Sequence, residues 1–306
     1  MLVVGYLFVQ GFSNAAGAAY AGLVPDIVPA QEFGRASGFL ATMVLVGSGA
    51  GLGATIGLGG LDLRFTYLAM AAVVLLSVLP TLWVARGEGM VPVPRAPKLP
   101  LLQAAREFLR PMAGGDFGWV IFTRLFVSSG IVTVQSFLLN FFRDVVGVAN
   151  PKTFTSLWLI VVLLTAVPFA LAAGHLSDRY GRKIFVYLSG AFQSIVALVF
   201  VIFFPTSIPF IYATGVLYGA GYGCYYAVDW ALACDTLPDR TKPAKDMGLF
   251  HVALTLPGTY VPFVAGWTLD TLNRHAANSG YRVIFAAAVV FLIMGTVFVS
   301  RIKSVR

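Results

Sequence analysis

Six or more stretches of this chain run uncharged for close to, or beyond, the roughly 18–20 residues that a helix needs to cross the hydrocarbon layer of a bilayer. A transmembrane barrel would instead show short segments of alternating polarity. Of the 306 residues, 58% are hydrophobic and 11% charged, whereas a soluble domain carries about 25% charge to present a hydrated surface. The chain is therefore expected to be an all-α integral membrane protein.

The apolar pattern places nine spans: 2–21, 38–59, 65–85, 117–141, 154–174, 184–204, 208–234, 247–268 and 282–301. Connections are short except for 86–115, where five prolines stand among Arg86, Arg95, Lys98, Arg106 and Arg110. Proline and charge together predict an aqueous linker, which divides the chain into a partial bundle, 1–85, and a six-helix bundle, 116–306. Within the linker, Leu101–Arg110 has the pattern of a short amphipathic helix on the membrane surface.

Basic residues set the orientation. Loops 22–37, 86–115, 175–183 and 235–246, with the tail after Ser300, hold fifteen Lys and Arg, and the opposite loops hold five. The richer side is expected to be cytoplasmic, with the N-terminus outside and the C-terminus inside, most naturally in the cell membrane. The net charge of +8 is scattered over short loops, which fits membrane topology and not a nucleic-acid partner. Cys224 and Cys234 share one apolar segment, roughly 15 Å apart along a helix, too far for a disulfide and without metal-ligand spacing. The opening run lacks a basic n-region and continues past Tyr20, so it is expected to be a span, not a cleaved signal.

An internal echo is present. Asp26-Ile-Val-Pro29, followed by Arg35 and Gly38, is mirrored by Asp235-Thr-Leu-Pro238, followed by Lys245 and Gly248. Loop chemistry alone could place proline and glycine in both; a fold repeated in two halves explains the spacing too. Under the second reading, three spans precede the paired helices of the second copy and none precedes those of the first. Three helices are then expected to be missing ahead of residue 2, through a truncated gene model, a fragment or a short variant.

Residues 174–183 read Gly-His-Leu-Ser-Asp-Arg-Tyr-Gly-Arg-Lys, directly between two spans. Gly174 lets two helices approach closely, and Asp178 suits the positive end of a neighbouring helix. Arg179, Arg182 and Lys183 hold the turn on the cytoplasmic side. The run, Gly181 included, closely resembles the G-x-L-[SA]-D-R-x-G-R-[KR] signature of the major facilitator superfamily. That resemblance implies a bundle whose spans are helices 4 to 12 of twelve. It also implies that the aspartate latches onto the start of helix 11 and favours the outward-facing state. Here that helix begins near Lys245-Asp246-Met247-Gly248, so Asp178 is expected to meet Lys245 or the adjacent amides; a plain basic loop is the alternative. A narrower likeness covers Gly221–Leu232, Asp235–Pro238 and Lys245–Gly248, which are similar to the sucrose-transporter-like and glycoside–pentoside–hexuronide cation symporters. It implies a sugar carried with a proton or sodium ion.

The resemblance further implies that helices 1, 4, 7 and 10 line the central cavity. On the three that are present, polar residues form stripes at 100° per residue: Tyr6, Gln10, Asn14 and Gly17; Arg124, Ser128 and Gln135; Tyr218, Tyr222, Tyr225 and Asp229. Polar groups in hydrocarbon are costly unless partnered, so these stripes are expected to face protein or water. Inter-helix hydrogen bonding is one role open to them and a cavity wall that stacks and hydrogen-bonds a sugar is another. Arg124 and Asp229 lie at similar depth and could pair, either as a coupling site in which Arg124 modulates Asp229 or as a structural tie. His251 is expected to be a packing residue, and glycines 47, 51, 53 and 57 a tight helix contact.

The leading expectation is alternating-access transport of a small solute within the bilayer, cation-coupled, with a non-transporting truncated homologue as the alternative. An enzyme is disfavoured: Asp229 and Asp235 lack the i, i+4 spacing of a magnesium–diphosphate site, and no nucleophile triad, metal motif or cofactor signature is present.

Overall fold

The computed structural model describes residues 2–22, 25–26, 28–57, 63–86, 100–238 and 243–305, with most of their side chains. The middle of the predicted linker, with Arg95 and Lys98, lies outside the described residues. What is described is helical, as backbone in hydrocarbon demands. In chain order the helices are α1 (Leu2–Ala21), α2 (Phe33–Gly57), α3 (Leu63–Ala85), α4 (Leu101–Leu109), α5 (Gly115–Phe141), α6 (Pro151–Tyr180), α7 (Arg182–Phe203), α8 (Ile208–Asp235), α9 (Pro243–Asn273) and α10 (Ser279–Phe298).

All but α4 have twenty residues or more. By length and apolarity, six candidate spans stand out among the described residues, those built on α2, α5, α6, α7, α9 and α10. Of the nine predicted spans, six are supported in this way among the described residues, and the helices α1, α3 and α8 fall outside this set. In α8 the reason is visible: tyrosines, glycines and Asp229 dilute its apolar residues. α4 forms where the amphipathic linker helix is expected, with Leu102 84% exposed.

Helices α5 to α10 make one bundle. α8 is its axis, packed on α6 and α7, while α5 packs on α9 and α10, and α10 returns to α7. Glycine explains how α8 fits so closely. A Cβ at Gly219 or Gly223 would collide with the Val162 or Ala166 carbonyl of α6, and one at Gly221 would press on the Ser189 carbonyl of α7. The Trp158 indole donates to the Ile211 carbonyl at 3.0 Å, fastening the other end of the α6–α8 seam. At the far end, Tyr281 of α10 donates to Asp144, which Arg143 also holds.

The first three helices attach unequally. α2 lies along α6 and α8, and α1 leans on α9. Every described side chain of α3 is exposed. The expected glycine contact on α2 is corrected: a Cβ at Gly47, Gly51, Gly53 or Gly57 meets nothing within 4 Å. Those residues are exposed on faces of α2 turned away from α6, whereas a Cβ at Gly49 between them would meet Leu163 of α6 at 3.7 Å. The close contact falls earlier, at Gly38, where a Cβ would stand 3.0 Å from the Gly174 Cα.

Candidate functional site

Two polar assemblies stand out, one inside the bundle and one at the end of it. Inside, Arg124 of α5 and Asp229 of α8 are 1% and 4% exposed and form an ion pair. A charge withdrawn from water costs several kcal/mol, so each needs its partner. The Arg124 guanidinium also lies over the Phe250 ring of α9 at 3.7 Å from its centroid, which adds a cation–π contact. Three helices therefore converge on one cation.

Around the pair the stripe on α8 is a ladder of rings. Tyr218 and Tyr222 stack at 6.3 Å, and Tyr222 meets Tyr226 at 4.6 Å. Gln135 lies within reach of the Tyr222 hydroxyl, and Tyr225 stands beside Asp229. The structure thus brings together Arg124, Gln135, Tyr222, Tyr225 and Asp229 between α5 and α8. Tyr218 joins them through Tyr222 and also meets Trp158 of α6 at 5.5 Å, and buried Ser128 lies one turn from Arg124 on α5. Arg124 Nε, Ser128 Oγ and Tyr218 Oη are buried without a hydrogen-bond partner among the described residues. Buried polar atoms are seldom left this way, and such a cluster suits a site that meets a polar solute or water. A cavity of about 150 Å³ nearby, lined by Thr133, Tyr260, Val261 and Phe291, is apolar and distinct from this pair.

On α1, only Asn14 and Gly17 of the predicted stripe are among the described side chains. Tyr6 and Gln10 lie outside the residues whose side chains are described, and Asn14 is half-exposed. Gly17 meets His251 instead: a Cβ there would stand 2.8 Å from the imidazole. His251, expected to pack, does so against α1, one position along from Phe250. Two further contacts had no sequence signal, the Ser129–Tyr260 hydroxyl pair at 2.6 Å and the edge-on contact of Trp230 with Phe250 at 6.0 Å.

The second assembly lies where α6 turns into α7. Gly181 sits at φ +96°, a left-handed conformation that glycine adopts without strain, so the chain reverses within one residue. This brings Arg182 back over Asp178. Buried Arg182 donates to Asp178 at 2.7 Å, to Ser177 at 3.1 Å and to Asp235 of α8 at 2.6 Å. Asp178 in turn accepts the backbone N–H groups of Gly34 and Arg35, both at 3.0 Å. The first turn of any helix has such unsatisfied donors and a positive dipole end, and the carboxylate answers both.

The expected partner of Asp178 is therefore corrected. It meets the start of α2, not the start of α9, and Lys245 is exposed there. The physical reason is the glycine crossing: α6 lies along α2 at Gly38 and Gly174, which carries the end of α6 to the first turn of α2. The two halves of the repeat present nearly the same helix start, and packing selects one. Arg179 and Lys183 take no part in the contacts around Asp178; Arg179 lies over Tyr180 at 5.6 Å.

Comparison with known proteins bears on the family and the fold. Two overlapping stretches, residues 1–238 and 149–305, match the model of a family described as the Major Facilitator Superfamily. Among solved structures, a bacterial homologue of the iron transporter ferroportin, in an outward-facing state, is similar with a TM-score of 0.69 at 15% identity. The match covers 94% of this chain and 69% of that one, and at this identity it is a likeness of fold. No curated protein matches the chain.

Proposed function

Because the chain belongs to the Major Facilitator Superfamily, a family of membrane transporters, we propose that it moves a small solute by alternating access, driven by a cation such as a proton or sodium ion. The observation that carries this reading is the buried Arg124–Asp229 pair between α5 and α8. An ionisable pair inside a membrane bundle is costly, and proteins retain one where charge must be taken up or released. Asp229 is the coupling group in this reading. Arg124 is its ion-pair partner until the solute or the cation intervenes.

Ser128, Gln135, Tyr218, Tyr222 and Tyr225 form the surface presented to the solute, and the sequence pattern assigns Gln10 and Asn14 of α1 to the same wall. Flat rings with hydroxyl and amide groups suit a sugar, which offers both an apolar ring face and many hydroxyls. The long helices correspond to helices 4 to 12 of the family, with the basic loops cytoplasmic. Gly174, Asp178, Arg182 and the first turn of α2 then form a cytoplasmic latch, with Arg179, Gly181 and Lys183 shaping its turn. A closed latch on that side fits an outward-facing state, the state of the similar solved structure.

Flux into proteoliposomes tests this. With Asp229→Asn, uptake driven by a proton or sodium gradient should disappear while counterflow of the solute without a gradient continues. Gradient-driven accumulation that survives the substitution would reduce the pair to a structural tie.

A further inference from the structure

The glycine crossing of α2 over α6 leaves an open angle on one flank. Gly38 and Gly174 meet backbone to backbone, so no side chain fills the wedge between the helices. The resulting crevice, about 310 Å³, is lined by Arg35, Gly38 and Phe39 from α2 and by Leu171 and His175 from α6.

Its lining is graded along the helix axes. Arg35 and His175 are exposed at the helix ends that carry the latch. Phe39 and Leu171 lie four residues, about one turn, further into each helix, and are 50% and 41% exposed. The latch leaves these side chains unused. Arg35 gives Asp178 only its backbone N–H, and its guanidinium turns toward the Phe39 ring, 6.0 Å from the centroid. The crevice thus has two nitrogen-bearing side chains at its mouth and hydrocarbon below them.

We propose that this crevice binds an anionic phospholipid, its phosphate held between Arg35 and His175 and one acyl chain lying over Phe39 and Leu171. A guanidinium and a ring N–H are donors matched to phosphate oxygens. Basic crevices between spanning helices are suited to charged headgroups. A free anion would make no use of Phe39 and Leu171, and a zwitterionic headgroup offers Arg35 no net charge. The bound lipid touches both helices that the Asp178 latch joins, so it steadies the latched arrangement. The proposal requires these two helices to be embedded in the membrane; it does not depend on coupling at Asp229.

Native mass spectrometry of the full chain, purified in detergent and offered phosphatidylglycerol, phosphatidylcholine or inorganic phosphate, tests it. Phosphatidylglycerol should be retained over phosphatidylcholine, and millimolar phosphate should not displace it. Arg35→Gln with His175→Gln should lower that retention about fivefold, and Phe39→Ser with Leu171→Ser should lower it by a separate route. All four side chains are exposed, so the fold tolerates these changes, and circular dichroism confirms this for each variant. Equal retention of the two lipids, or indifference to Arg35→Gln with His175→Gln, overturns the proposal. Displacement by phosphate alone overturns the lipid in favour of a simple anion site.

Discussion

α3 and α5 are both apolar helices, yet one is bare and the other enclosed. On α3, Val73, Leu75, Leu76 and Trp83 are 66%, 71%, 62% and 75% exposed. On α5, Val120, Val134, Leu138 and Phe141 are fully covered. Apolar composition tells what solvent a helix accepts, and lipid and protein interior are nearly equivalent in that respect. What separates the two helices is their non-apolar content. α5 has Arg124, Ser129 and Gly130, each answered by a neighbouring helix through Asp229, Tyr260 or Leu292. The hydroxyls of Ser77 and Thr81 on α3 bond back to carbonyls of α3 itself. In this membrane protein, small and polar residues choose the neighbours.

If that contrast is right, the largest effect belongs to the buried pair. Arg124→Met strands the Asp229 charge and should lower stability by about 3–5 kcal/mol, read as thermal unfolding in detergent, with Asp229→Leu added in the same chain restoring most of it. Next comes the glycine crossing. Gly174→Val places carbon against the Gly38 backbone and should cost about 1–3 kcal/mol; hydrogen exchange should quicken across 33–57 and stay slow across 208–235. Equal quickening in both segments would mean that α2 and the main bundle are one cooperative unit.

A smaller effect is expected at the latch. Asp178→Asn removes the charge that Arg182 and two N–H groups share, about 1–2 kcal/mol. A cysteine introduced at Ser37, which is wholly buried, should then label faster, against a low background because Cys224 and Cys234 are buried. Unchanged labelling would leave Gly38 and Gly174 as the real clasp. The smallest change is on α3: Leu75→Ala should move stability by no more than about 0.5 kcal/mol. A larger loss would reveal a protein partner for that face.

Much of this was legible from residues alone. Arg124 and Asp229 could be matched because each lies a similar number of turns from a recognisable helix end. Gly174 could be given a role because close approach of helices demands glycine, whereas the reversal at Gly181 came to light only in the fold. The partner of Asp178 could not, since Arg35–Gly38 and Lys245–Gly248 present the same local chemistry and only packing distinguishes them. Arg182 with Asp235 was hidden by a 53-residue separation. The bareness of α3 was hidden because a lipid-facing leucine and a core leucine are spelled alike, and the glycines of α2 misled for the same reason.

The trans cap on α2 has a consequence for speed. Parting α2 from α6 would strand two amide donors at the first turn of α2, so under the proposed alternating access the cost of changing shape falls at a helix tip, away from the Arg124–Asp229 pair. Selectivity and turnover are then written in different residues. Evolution, or an engineer, could retune how fast this machine cycles by editing the neighbourhood of Gly34 while leaving untouched what it chooses to carry.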